Sequence, residues 1–148
     1  MSITGTNKQI IVVGDTDGLI AILHEEDLHH RQAVETVNKL LQQDVQTVFP
    51  LTTITETITT LIRKLKLPDL AVRVVGQITS GVLTIENTDT DMLNEALKVF
   101  DPKGSKKKTI FDAMVVATAK KLDTNIIFSM DDWYSKLGFT LAKDYFKK

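Results

Sequence analysis

The amino-acid sequence predicts an α/β fold: a central, mainly parallel sheet of four to five strands covered by helices. Two observations carry this. Short apolar runs alternate along the chain with stretches of helical periodicity, the order that builds strand–helix–strand units. The first run, Ile10-Ile11-Val12-Val13, is continuously apolar rather than alternating, as expected of a strand covered on both faces.

Taken in order, the first strand is expected over Gln9 to Gly14. A short apolar helix follows through Leu19 to Leu23, and a longer one runs from about His29 to Gln43. Val45 to Leu51 reads as the second strand. Thr52-Thr53-Ile54-Thr55-Glu56 opens a helix that must end before Pro68, because proline disfavours helical geometry at the residue before it. Pro68 itself suits a helix start, and that helix is expected to run to Thr79, where Ser80-Gly81 stops it. Gly81 to Glu86 is the third strand and Asp89 to Phe100 the next helix. A basic loop, Asp101 to Lys108, leads into an apolar helix over Ile110 to Leu122. Asn125 to Met130 is the fourth strand, with Gly138 to Ala142 the candidate fifth. With 148 residues, no internal repeat and no linker-like composition, the chain reads as one domain spanning 1–148.

Composition narrows the chemistry. There is no cysteine, which removes disulfides, thiolate metal sites and cysteine nucleophiles. The formal charge of −1 excludes a uniformly basic nucleic-acid binder, so any such contact must come from a local patch or a bound metal. Met1 to Gln9 is polar and lacks the apolar stretch of a signal peptide, and no segment is long enough to span a bilayer. A cytoplasmic protein is expected.

Four carboxylates stand where a parallel sheet binds ligands, beyond the C-terminal ends of its strands. Asp15 follows the first strand and Asp131 the fourth. Glu56 lies in the first helical turn after the second strand, at the same sheet edge. Asp112 opens a helix into which no strand leads directly. Like charges gathered in this way must take up protons, spread apart or bind cations. An all-oxygen donor set favours the hard ions Mg²⁺ or Mn²⁺ over zinc. Such a site can polarise a phosphate and activate water, the chemistry of phosphodiester hydrolysis. Each acid also has a purely structural use. Thr53-x-x-Glu56 and Thr109-x-x-Asp112 both match the helix capping box, while Asp15 and Asp131 suit Asx turns.

These residues resemble a known family, the PIN-domain nucleases, and within it the toxins of VapBC-type toxin–antitoxin pairs. The resemblance covers nearly the whole chain. It begins with a hydrophobic strand running into Asp15-Thr16-Asp17 and the short helix Leu19-Ile20-Ala21-Ile22-Leu23, followed by Asp27-Leu28-His29-His30. It continues through Glu56, through Asp112 at the head of the Ala-rich helix, and through Ser129-Met130-Asp131 with Trp133-Tyr134 and Leu137-Gly138 behind. It implies an α/β/α sandwich, dependence on Mg²⁺ or Mn²⁺, and cleavage of single-stranded RNA. Asp15, Glu56, Asp112 and Asp131 would be the catalytic set, with Asp15, Asp112 and Asp131 as metal ligands. A homodimer and an antitoxin protein partner are also implied. One position departs from the pattern: Trp133 stands where the family often carries a second acid, and the neighbouring Asp132 is its candidate substitute.

Asp17 is a candidate accessory ligand, with the N-cap of the following helix as its competing role. Ser129 is a candidate partner of a metal ligand. Arg63, seven residues after Glu56 and so on the same helical face, and Lys106-Lys107-Lys108 before Asp112 are candidate RNA-phosphate contacts. His29 and His30 are adjacent and make a poor metal clamp, and Phe111, Trp133, Tyr134 and Phe139 read as packing residues. Two other functions are compatible with parts of the chain. Asp15-Thr16-Asp17-Gly18 also suits a haloacid-dehalogenase-type phosphatase, with Asp15 as nucleophile and Asp17 as acid/base, but that family carries a hairpin flap after the motif. The other is a catalytically silent PIN-like module that binds RNA.

Overall fold

The computed structural model describes residues 9–147, so most of the polar opening stretch lies outside the described residues. Five strands form one parallel sheet: β1 (Ile11–Gly14), β2 (Gln46–Pro50), β3 (Thr84–Glu86), β4 (Ile126–Phe128) and β5 (Thr140–Leu141), in the order β3-β2-β1-β4-β5. The connections carry α1 (Thr16–Leu23), α2 (His30–Gln42), α3 (Leu51–Thr59), α4 (Pro68–Thr79), α5 (Thr90–Leu97), α6 (Ile110–Lys121), α7 (Trp133–Lys136) and α8 (Ala142–Tyr145).

The sheet is buried on both faces, which explains its unbroken apolar runs. Val12, Ile126 and Phe128 pack towards α1, α2 and α8, through Ala21, Ala33, Leu40 and Ala142. The intervening residues Val13 and Ile127 point the other way, onto Val115, Val116 and Ala119 of α6 and Tyr134 of α7. Beyond α6 lies α5, where Met92 and Ala96 meet Ala113, Met114 and Ala117. The small side chains on both helices allow close approach. A fourth cluster joins α1, α3, the turn after it and α4 over Phe49 of β2, through Leu19, Ile54, Leu61 and Val74.

Strand order sets where the site lies. The chain steps from β1 outwards through β2 to β3, then returns to lay β4 on the other side of β1. The connections on either side of the β1/β4 boundary therefore diverge, opening a crevice beyond the strand ends. Gly18 lets α1 start tight against that boundary: a Cβ there would stand 2.7 Å from the Phe128 carbonyl oxygen.

Most expected elements are present, shortened at their ends. The third strand begins at Thr84 rather than Gly81, because Gly81 takes a positive φ of 77° and the amides of Val82 and Leu83 turn back onto the Gln77 carbonyl. The helices α7 and α8, four residues each, are too short to show periodicity in the sequence. The largest departure follows α3. Thr60–Lys64 forms a π-turn, closed by the Leu65 amide donating to the Thr60 carbonyl at 3.0 Å, before the chain reverses through Lys66 at φ 59°. Among the described residues, no helix is long and apolar enough to cross a membrane.

Candidate active site

The crevice at the β1/β4 boundary opens into a cleft of about 650 Å³ lined by Asp15, Asp17, Glu56, Asp112 and Asp131, with Asp27 at its margin. These acids come from separate parts of the chain: the end of β1, the first turn of α1, the segment between α1 and α2, the second turn of α3, the first turn of α6 and the turn after β4.

Asp15 is buried and caps α1, its carboxylate accepting from the Gly18 amide at 3.0 Å, while its own amide donates to the Phe128 carbonyl at 3.1 Å. Burial, reinforced by the nearby charge of Asp17, holds its carboxyl well above the ordinary range. Asp15, not Asp17, is therefore the N-cap. Asp17 sits in the first turn of α1 and bridges to the β4 side, accepting from the Ser129 hydroxyl at 3.0 Å and the Met130 amide at 3.1 Å. The Ser129 hydroxyl in turn accepts from the Asp131 amide at 2.9 Å. The chain Asp17–Ser129–Asp131 ties the two strand-end loops together.

Glu56 does not form the capping box that Thr53-x-x-Glu56 suggests, because α3 starts directly from Pro50 with no side-chain cap. Its carboxylate accepts instead from the Thr16 hydroxyl on α1. Burial raises its pKa, opposed by the Thr16 hydrogen bond and supported by the charge of Asp112. Asp112 does form a capping box with Thr109, accepting from the Thr109 amide at 2.8 Å, and its other oxygen faces the buried Tyr134 hydroxyl at 3.4 Å. Burial again raises its carboxyl despite those bonds. The Tyr134 phenol is held neutral by burial and by the surrounding Asp15 and Asp112.

Asp131 is the exception. Burial opposes its ionisation, but an ion pair with Lys108, the Trp133 amide at 2.9 Å and the charge of Lys136 together lower its pKa. The Lys108 ammonium also lies over the Trp133 ring, 5.5 Å from its centroid. Trp133 thus lies against the lysine that neutralises Asp131.

Four expected site residues are absent from the cleft wall: Ser129 is fully buried, Lys108 is taken up by its ion pair with Asp131, and Asp132 and Arg63 stand outside. Asp132 is 82% exposed and pairs with Lys143 at 3.8 Å, because the turn from Asp131 into α7 points it to solvent. Arg63 is exposed and absent from the cleft wall, where Thr60, Lys64 and Leu65 stand instead. The seven-residue spacing from Glu56 assumed an unbroken α-helix, and the π-turn adds one residue to it. Lys106 and Lys107 also line the cleft. Thr16 and Lys64 are polar cleft residues for which no role was expected from the sequence. Thr16 was visible within the Asp15-Thr16 pair, but Lys64 had no local signal. His30 is structural, its Nδ1 lying 2.7 Å from the Ala21 carbonyl.

The donors available to a ligand are carboxylates and hydroxyls, which fits a hard divalent cation. Among the described residues, no three acidic or histidine side chains are arranged as they lie to hold one ion. Each carboxylate is instead engaged by a protein donor, so a cation there would compete with the Thr109 cap at Asp112 and with Lys108 at Asp131. The Asp15-x-Asp17-Gly18 motif passes straight into α1 without a hairpin, which removes the flap a haloacid-dehalogenase-type phosphatase requires.

Two solved structures share this architecture. VapC20 of Mycobacterium tuberculosis, a sarcin–ricin loop cleaving toxin, superposes with a TM-score of 0.72 at 20% identity, covering 87% of this chain and 96% of that one. A DNA-bound VapBC from Salmonella typhimurium gives a TM-score of 0.60 at 16% identity, over 90% of this chain and 96% of that one. No curated protein matches by sequence. The PIN domain family model matches residues 12–139, from inside β1 to the start of β5, and so contains every acid of the cleft; the chain belongs to the PIN domain family.

Proposed function

We propose that this protein is a metal-dependent endoribonuclease that hydrolyses phosphodiester bonds of single-stranded RNA. The observation that carries the proposal is the meeting of Asp15, Glu56, Asp112 and Asp131, from four elements, in one cleft at the β1/β4 boundary. In this reading Asp15, Asp112 and Asp131 hold Mg²⁺ or Mn²⁺. When bound, the cation neutralises phosphate charge and acidifies water for in-line attack. Glu56, its pKa raised by burial and its orientation fixed by Thr16, takes a proton from the attacking water. Asp17 and Ser129 keep the two strand-end loops in register, and Lys106 and Lys107 face the RNA phosphates, whereas Lys108 is held by Asp131.

The likeness to VapC20 and VapBC supports a place as the toxin of a VapBC-type pair, restrained by an antitoxin protein; in this reading it acts in the cytoplasm as a homodimer. The test is cleavage of a single-stranded RNA oligonucleotide by the purified protein. Cleavage should require Mg²⁺ or Mn²⁺ and be lost in Asp15→Asn and in Asp112→Asn. Hydrolysis of small phosphomonoesters that survives Asp112→Asn would instead identify a phosphatase. RNA binding without cleavage in either metal would identify a silent module.

A further inference from the structure

We propose that Lys64, presented by the π-turn after α3, is the residue that positions an RNA phosphate on the Glu56 side of the cleft. The inference rests on the nuclease reading above and adds a residue to it. In a continuous α-helix, the residues sharing the Glu56 face two turns on would include position 63. The π-turn over Thr60–Lys64 closes with a hydrogen bond reaching one residue further than an α-turn, so an extra residue is accommodated. The face of Glu56 then continues through Thr60 to Lys64, both of which line the cleft, whereas Arg63 does not.

The charge layout gives Lys64 its task. The cleft floor is acidic, and the basic side chains that line it among the described residues are Lys64, from the π-turn, and Lys106 and Lys107, from the loop before α6, while Lys108 is paired with Asp131. A polyanion approaching this floor is repelled by the carboxylates and attracted by the lysines of these two segments. A phosphate held at Lys64 and another at Lys106 or Lys107 would leave the intervening linkage over the carboxylates. The nearness of Lys64 to the floor is also felt by Glu56, whose ionisation it favours.

The test is equilibrium binding of a fluorescent single-stranded RNA oligonucleotide, in EDTA to prevent turnover, across a series of salt concentrations. Lys64→Ala should weaken binding about fivefold near 100 mM salt and lower the slope of log affinity against log salt by about 0.7, the value for one phosphate contact on a single strand. Lys64→Arg should restore both. Arg63→Ala, outside the cleft, should change neither. Under turnover, Lys64→Ala should raise KM with little change in kcat. The proposal is overturned if Lys64→Ala binds as wild type does, or if Arg63→Ala produces the larger loss. Wild-type cleavage alongside either result would leave the nuclease reading standing, while a wild type that neither binds nor cleaves RNA would end both.

Discussion

Replacing Lys108 with methionine should tighten divalent-metal binding, because the lysine already occupies Asp131 as a built-in cation. The two side chains form an ion pair while remaining 26% and 34% exposed, and the ammonium rests 5.5 Å from the Trp133 centroid. Two unit charges about 4 Å apart at an effective dielectric near 20 attract by roughly 4 kcal/mol, an upper bound here because water and salt reach both groups. Exposed pairs contribute about 0–1 kcal/mol, and a partly shielded cation–π contact adds roughly 0.5–1 kcal/mol. About 0.5–2 kcal/mol is thus the cost of separating Lys108 from Asp131, and 1.4 kcal/mol, within that range, corresponds to about tenfold in affinity. Methionine keeps the apolar stem against Trp133 and removes the charge. Titration calorimetry with Mn²⁺ near neutral pH should give a Kd about tenfold lower for Lys108→Met. Lys106→Met, which removes a charge from the same loop but breaks no ion pair with Asp131, should gain about twofold. Equal gains in the two variants, or an unchanged or weaker Kd in Lys108→Met, would refute direct competition.

Two other outcomes follow from the same geometry. Asp15, Glu56 and Asp112 have raised pKa values in the folded protein, so the fold binds protons more tightly than the unfolded chain, whose carboxyls ionise near 4. Stability without metal should therefore fall as pH rises from about 4 through those raised values, and melts between about pH 5 and 8 should show the highest Tm at the acid end. Asp131 runs oppositely, but its contribution is lost only as pH falls through its lowered pKa, below this window. Saturating Mn²⁺ should flatten the slope, as should Asp15→Asn, since asparagine keeps the cap without the buried charge; a slope unchanged by either would contradict the assignment. Gly18→Ala should lower Tm although alanine favours helix by about 1 kcal/mol, because its Cβ would stand 2.7 Å from the Phe128 carbonyl and overpacking costs roughly 1–3 kcal/mol. A higher Tm would show that the α1–β4 contact yields without strain.

The sequence by itself determined the layers of this protein and two of its acids. Continuous apolar strands specify a sheet covered on both faces, and a sheet edge follows from chain direction alone, so Asp15 and Asp131 were legible as strand-end residues. Glu56 was legible as a position but not as a bonded group. Its neighbourhood pattern, Thr53-x-x-Glu56, pointed to a local cap, and its actual partner, Thr16, lies 40 residues away. Asp112 reversed that case: the capping box suggested by Thr109 did form, and the helix carrying it turned the same carboxylate into the cleft. Which of two neighbouring basic residues faces the cleft was beyond local pattern, because a single π-turn exchanges Arg63 for Lys64. Trp133 likewise acquires its place against Lys108 only when the loop before α6 meets the turn after β4. Periodicity reports which face of an element is apolar. Which donor a carboxylate takes, and whether a helix keeps its register, is settled by competition among groups that tertiary packing brings together.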